Sequence, residues 1–225
     1  MATWIAHLRL AQNLLDAGFD LEITPFTIGN IAPDCGIPDD NGSFIPPSSV
    51  THFGQEGEKA GPDMFYKKHM ENKQFNCEKY SFMVGYYAHL LADVAWSEDV
   101  YRPQKVTPLW AEGLKDNPKF IWTIKNDWYG HDFVYLHDNP DCLFYTTFAP
   151  VETVPDYLEF VPEGNLTKAV HRIKSHYDNQ DGTDFALAHD YPYLSRDEME
   201  TYIQNTTERL FQAFDAIRVP KVTEH

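Results

Sequence analysis

His89 and Asp93 stand four residues apart in the segment Gly85-Tyr86-Tyr87-Ala88-His89-Leu90-Leu91-Ala92-Asp93-Val94-Ala95-Trp96. The apolar residues of this segment, from Phe82 to Ala95, recur at helical spacing with no proline to interrupt them. On a helix an i, i+4 pair projects from one face, one turn above the other. An imidazole and a carboxylate so placed can grip one divalent metal, or they can form a buried hydrogen-bonded pair. Other constrained polar residues recur along the chain. His7 falls on the stripe of Trp4, Ala11 and Leu14, which points it inward, where a satisfied core histidine is the ordinary outcome. Asp34 sits in a turn stiffened by Pro33, Gly36 and Pro38, and His52 lies between Thr51 and Phe53 in an otherwise polar stretch. Asp127 and His131 repeat the i, i+4 carboxylate and imidazole arrangement. Together these are nitrogen and oxygen ligands without a thiolate, a set that suits zinc in a catalytic role.

The elements that must position them read as helices. Thr3 is an N-cap for a helix to about Ala17, ended by Gly18. Ile23 to Ile31 is an apolar run of undecided type, and Asp39 to Gly61 has loop composition. A short helix over Asp63 to Asn72 leaves His69 on the surface, among charged residues. Asn76 caps the central helix, which Ser97, Glu98, Asp99 and Pro103 are expected to close after Trp96. Asn117-Pro118 starts the next helix, carried to about His137. Gly130 within it marks either a weak point or close packing. Val154 to Phe160 reads as one or two helical turns in a proline-broken connector. A helix containing Leu166 and Ile173 leaves His171 and His176 solvated, and His137 and His189 read as surface or supporting residues. Ser195 and Glu198 form a capping box for the final helix. No repeat or long linker divides the chain, so one all-α domain over residues 1–225 is expected.

Composition narrows the function. With 43% hydrophobic residues the chain has enough apolar material for a filled core, and a net charge of −16 argues against strong nucleic-acid or anionic-membrane binding. The 18 Lys and Arg residues form no dense patch in sequence, so a phosphate-bearing ligand would draw on bound metal for positive charge. Three dispersed cysteines (Cys35, Cys77, Cys142) suggest neither disulfides nor a thiolate site, and no signal or membrane-spanning run is visible; cytoplasmic localisation is expected.

Five segments in order resemble the zinc-dependent phospholipase C family, a branch of the all-α fold shared with the S1/P1-type nucleases. They are Thr3 to Leu8, Gly29 to Pro38, Thr51 to Phe53, Gly85 to Asp93, and Asp127 to His131. The resemblance covers about Met1 to His137. It implies that Asp34, His52, His89 and Asp93 hold one zinc, and that Asp93 bridges to a second held by His7. It also implies that Asp34 orients or deprotonates the attacking water. A third site is less well matched: Asp99 stands where the family has a histidine, and Asp127 and His131 reverse its H-x-x-x-E order. Trp4 lies inside the first helix and does not match the family's N-terminal ligand. The expectation is two zinc ions, with a third weak or absent. The implied protein is a phosphoric ester hydrolase acting on a small phosphate ester, a phosphodiester or a phospholipid headgroup. The alternative is a zinc-binding structural or ligand-binding module of the same fold without turnover.

Overall fold

The computed structural model describes residues 1–54 and 58–222. It is all-α apart from one two-stranded ribbon. The helices are α1 (Trp4–Asp16), α2 (Ile23–Gly29), α3 (Ser48–Thr51), α4 (Pro62–Phe65), α5 (Cys77–Trp96), α6 (Arg102–Lys105), α7 (Pro108–Asp116), α8 (Ile121–Asp138), α9 (Asn165–Tyr177), α10 (Gln180–Ala188) and α11 (Arg196–Ala216). Strands β1 (Ile37–Pro38) and β2 (Phe44–Ile45) pair antiparallel, Ile37 opposite Ile45. No helix among the described residues is long and apolar enough to cross a membrane.

Local chemistry sets the helix starts. The Thr3 hydroxyl accepts from the Ala6 backbone N–H, Asn76 caps α5 through Lys79, and Ser195 and Glu198 make the reciprocal capping box of α11. The buried apolar side chains form one cluster running from Ala2 to Val219. Helix α5 lies at its centre: Phe82, Val84, Tyr86, Ala88, Leu90 and Trp96 are fully buried, and so is His89.

Helices α2 and α5 cross at two glycines. A Cβ on Gly29 would stand 2.1 Å from the Phe82 carbonyl oxygen, and one on Gly85 would stand 2.3 Å from that of Phe26. This backbone-to-backbone approach brings the end of α2 against the His89 face of α5. Replacing Gly85 by alanine is expected to force the helices apart and cost about 3 kcal/mol, the upper end of overpacking penalties. Urea unfolding would measure it; an unchanged midpoint would mean that the crossing yields freely.

Several elements depart from expectation. The stretch from Asp39 to Gly61 contains β2 and α3 as well as loop; its residues 55–57 lie outside the described residues. Helix α5 ends at Trp96 as expected, but Ser97 to Asp99 do not close the helical path: the chain continues through a π turn over Ser97–Tyr101 into α6, with Pro103 at the second position of α6. Val154 to Phe160 is not helical. Val154 N–H bonds instead to the Thr167 hydroxyl of α9, and Tyr157 stacks on Phe82 with ring centroids 4.3 Å apart. His69 is half-buried, packed against Phe53, Phe65 and Phe160, and burial lowers its pKa. Gly130 marks close packing: a Cβ there would meet the Tyr191 ring at 2.9 Å.

Candidate metal centre

Helix α1 supplies His7, α5 supplies His89 and Asp93, the 3-10 turn Ala32–Asp34 ends on Asp34, and His52 immediately follows α3. The fold brings all five together. His7, His89 and Asp93 form one group of three whose ligand atoms lie within 4.8 Å of one another, and Asp34, His52 and His89 form a second, so His89 belongs to both. His52 Nε2 is 3.5 Å from Asp34 Oδ1, 3.4 Å from Asp93 Oδ2 and 3.4 Å from His89 Nε2. His89 Nε2 is 3.7 Å from Asp93 Oδ2, and His7 Nε2 is 3.5 Å from Asp93 Oδ1. The His7 and His89 rings stack with centroids 3.7 Å apart.

Hydrogen bonds behind the ligands fix their orientation. His89 Nδ1 lies 2.7 Å from the Asn30 carbonyl oxygen, which only accepts, so Nδ1 carries the proton and the Nε2 lone pair of the neutral ring faces the cluster. His52 Nδ1 is held at 3.2 Å from the Ser48 carbonyl oxygen and 3.1 Å from the Thr51 hydroxyl, again leaving Nε2 inward. Asp93 Oδ1 accepts from the Ala2 backbone N–H at 2.9 Å, and the Trp4 indole donates to Asp34 Oδ2 at 2.9 Å. Among the described residues, both ring nitrogens of His7 and Asp93 Oδ2 are buried without any hydrogen-bond partner. Buried polar atoms are costly when unpaired, and His7 Nε2 and Asp93 Oδ2, each among the other ligand atoms, fit a bound cation. The donor set, three imidazoles and two carboxylates, suits zinc, with manganese or iron also compatible.

The charges agree with that fit. Burial opposes the charge on His52, yet Asp34 and Asp93 outweigh it and hold the imidazole up at about 10. Burial likewise opposes ionisation of Asp34, but the adjacent His52 brings the carboxyl down to about 2. Burial and then neighbouring His7 push His89 down to about 3, which keeps it neutral. Asp93 is held well below the usual carboxylate range: burial is overcome by the Met1 amino charge, His52 and His7. Asp34 and Asp93 are therefore ionised and His89 is neutral, the forms in which each can serve as a metal ligand.

A pH dependence follows for the metal-free protein. His52 has a folded pKa above its ordinary 6.5, so its contribution is fully present below pH 6.5 and is lost as pH rises toward about 10. The stability difference between wild type and His52→Gln should shrink by about 1.4 kcal/mol per pH unit across that window. Denaturant titrations at several pH values would show it, and a difference independent of pH would refute the pairing of His52 with the two carboxylates.

The other expected ligands lie elsewhere. Asp127 and His131 do not join either group. Asp127 Oδ1 is 2.6 Å from His189 Nε2, and its Oδ2 accepts from the backbone N–H groups of Tyr193 and Leu194 at 2.5 and 2.9 Å. His131 Nε2 is 2.7 Å from the Leu194 carbonyl oxygen, and its ring stacks on Tyr191. Both residues therefore clamp the turn that leads into α11. Asp99 is bound by Arg209 at 3.0 Å.

Asp34 is the ligand that reaches open space. It lines a cleft of about 530 Å³ together with Trp4, Phe44, Trp122, Lys125, Trp128, Tyr129, Arg172 and His176. Arg172 donates from Nη1 to the Gly36 carbonyl oxygen and from Nη2 to that of Asp34, both at 3.0 Å, and so secures the turn that carries the ligand. Sequence reasoning missed Phe44, Trp122, Lys125 and Arg172 as cleft residues; no motif marks them, and only the tertiary placement of β2, α8 and α9 beside the turn brings them in. His176, expected to be solvated, is exposed but stands edge-on to Trp4 at the cleft wall. Asp132 was also missed. It accepts from the Thr3 hydroxyl at 2.6 Å and the Tyr177 hydroxyl at 2.5 Å, tying α1, α8 and α9 together, and burial pushes it up to about 7.

No family model, no curated protein and no solved structure matches the chain.

Proposed function

We propose that this chain is a metal-dependent phosphoric ester hydrolase of the phospholipase C and P1 nuclease type, with two zinc ions held by His7, Asp34, His52, His89 and Asp93. The observation that carries the reading is the pair of ligand groups sharing His89, with unpartnered buried atoms on His7 and Asp93 and with Asp34 opening onto a cleft. His89 has one free lone pair, at Nε2, and would serve a single ion: Asp34, His52, His89 and Asp93 Oδ2 would hold one, and His7 with Asp93 Oδ1 the other, so Asp93 is within reach of both through its two oxygens. When bound, such ions supply positive charge to the phosphoryl oxygens and make a water acidic near neutral pH.

The chain's own residues position the reactants. Asn30 and Ser48, through their carbonyl oxygens, hold the imidazoles with Nε2 forward. Asp34 Oδ2 is fixed by the Trp4 indole, so the carboxylate presents a set direction to the cleft. A carboxyl held at about 2 is ionised at working pH and weakly basic, which suits it to orient the attacking water by accepting its hydrogen bond. The aromatic walls exclude bulk water from one side of the cleft and accept the apolar part of an ester. The three cysteines are unpaired, in keeping with a reducing compartment such as the cytoplasm.

A metal-binding module without turnover is the second reading. It is favoured by Asp99, Asp127 and His131, which engage other partners and leave the family's third site unmatched. Zinc-loaded protein tested on 4-nitrophenyl phosphate and bis(4-nitrophenyl) phosphate separates the two. Chelator-sensitive release of nitrophenol supports the hydrolase; full metal loading with no turnover of either ester leaves the binding module.

A further inference from the structure

The cleft beside Asp34 carries two basic side chains, Lys125 and Arg172, that have no salt-bridge partner among the described residues. The chain has 34 acidic side chains against 18 Lys and Arg, so a basic group can readily find a carboxylate, and Arg9, Lys174, Arg196, Arg209 and Lys221 each do. Lys125 and Arg172 line the cleft half-buried, and neither forms a salt bridge among the described residues. The Lys125 ammonium faces aromatic rings, 4.8 Å from the Trp122 centroid and 5.8 Å from that of Trp128. Burial lowers the pKa of Lys125, the charge of nearby Lys59 adds to that, and Asp34 opposes it. Two further donors on the cleft residues lack acceptors among the described residues: Arg172 Nε and the indole Nε1 of Trp128, a residue only 3% exposed. A half-buried ammonium and a guanidinium lining one cleft, neither paired with a carboxylate, form a set that an anion would satisfy.

We propose that Lys125 and Arg172 form an anion subsite of the cleft, which selects a phosphate ester bearing a second negative charge beyond the one that the metal centre takes. This rests on the hydrolase reading for its location, and it narrows the substrate to a phosphomonoester dianion or an ester with a neighbouring anionic group, set against a diester with a neutral or cationic substituent. Lys125 supplies a mobile point charge. Arg172, tethered by two of its nitrogens, supplies a fixed one. The apolar part of the ester lies on the aromatic wall of Trp4, Phe44 and Tyr129.

The test compares two probes that cannot be hydrolysed, phenylphosphonate above its second pKa and its monomethyl ester. Binding is followed by quenching of tryptophan fluorescence in zinc-loaded and chelator-treated protein. The bound metal itself favours the dianion, so the informative quantity is the ratio of the two Kd values in each variant. In Lys125→Gln the preference for the dianion should fall about tenfold, as expected for loss of one close charge, and Lys125→Arg should restore most of it. Equal preference in wild type and Lys125→Gln overturns the subsite. If turnover fails but the ratio still depends on Lys125, the hydrolase reading falls and the subsite stands; if turnover is found with an unchanged ratio, the subsite falls and the hydrolase reading stands.

Discussion

Replacing His89 by alanine is expected to abolish both metal positions at once. His89 Nε2 is the ligand atom common to both groups of three, and without it only His7 with Asp93 and Asp34 with His52 are left, too few protein ligands to hold an ion firmly on either side. Its ring lies between those of His7 and His52, with centroids at 3.7 and 5.3 Å, so its removal opens a void in the floor of the centre. The Asn30 carbonyl oxygen, which accepts from Nδ1, is left without that partner, and the buried carboxylate of Asp93 loses a neighbour that would share its cation. Losing a buried aromatic ring and a partner of a buried charge costs about 3–5 kcal/mol, to which the loss of metal-linked stability is added. Metal content by mass spectrometry should fall to near background, unfolding should shift to lower denaturant, and turnover should fall by at least ~1,000-fold. Unchanged metal content with an unchanged melting temperature would show that His89 is an ordinary core residue.

Replacing Asp34 by asparagine should separate the two positions. The substitution keeps the shape of the side chain and an oxygen to accept from the Trp4 indole, and it removes the charge. The position of Asp34, His52 and His89 loses the carboxylate that belongs to it alone, while His7 and Asp93 are untouched. One metal should be retained and one lost, with turnover reduced about 100- to 10,000-fold, as for loss of a group that positions the nucleophile. The metal-free protein should lose about 2 kcal/mol near neutral pH, because Asp34 is held at about 2 against an ordinary 3.8. That contribution is present above pH 3.8 and disappears as pH falls through about 2, so the variant and wild type converge in acid. Loss of both metals in Asp34→Asn would contradict the division of ligands between the two groups.

The residues that the chain advertises most clearly are those whose local pattern has one physical meaning. The stripe containing His7, the i, i+4 spacing of His89 and Asp93, the caps at Thr3 and Asn76 and the capping box at Ser195 all stand in the structure as their spacing predicts. Asp34 and His52 were legible through the stiff turn and apolar flanks that hold them. Asp127 and His131 show the limit of the same reasoning: spacing tells that two side chains share a helix face, and it does not tell what that face meets. It meets the Tyr191 to Leu194 turn, some sixty residues further along the chain. The cleft was illegible for a related reason. Lys125 and Arg172 are single cations on two helices, and only tertiary packing turns them into a local positive wall in a strongly acidic chain. Val154 to Phe160 reads as one or two helical turns, yet Pro155 and the bond from Val154 to Thr167 hold it out of a helix.

Metal content is the most direct test of a two-metal centre. Protein purified without chelator and without added metal, then dialysed against zinc, should carry about two ions per chain by inductively coupled plasma mass spectrometry, given that Asp93 turns one oxygen to His7 and the other to His52. Less than about one zinc, manganese or iron per chain after such loading would contradict it.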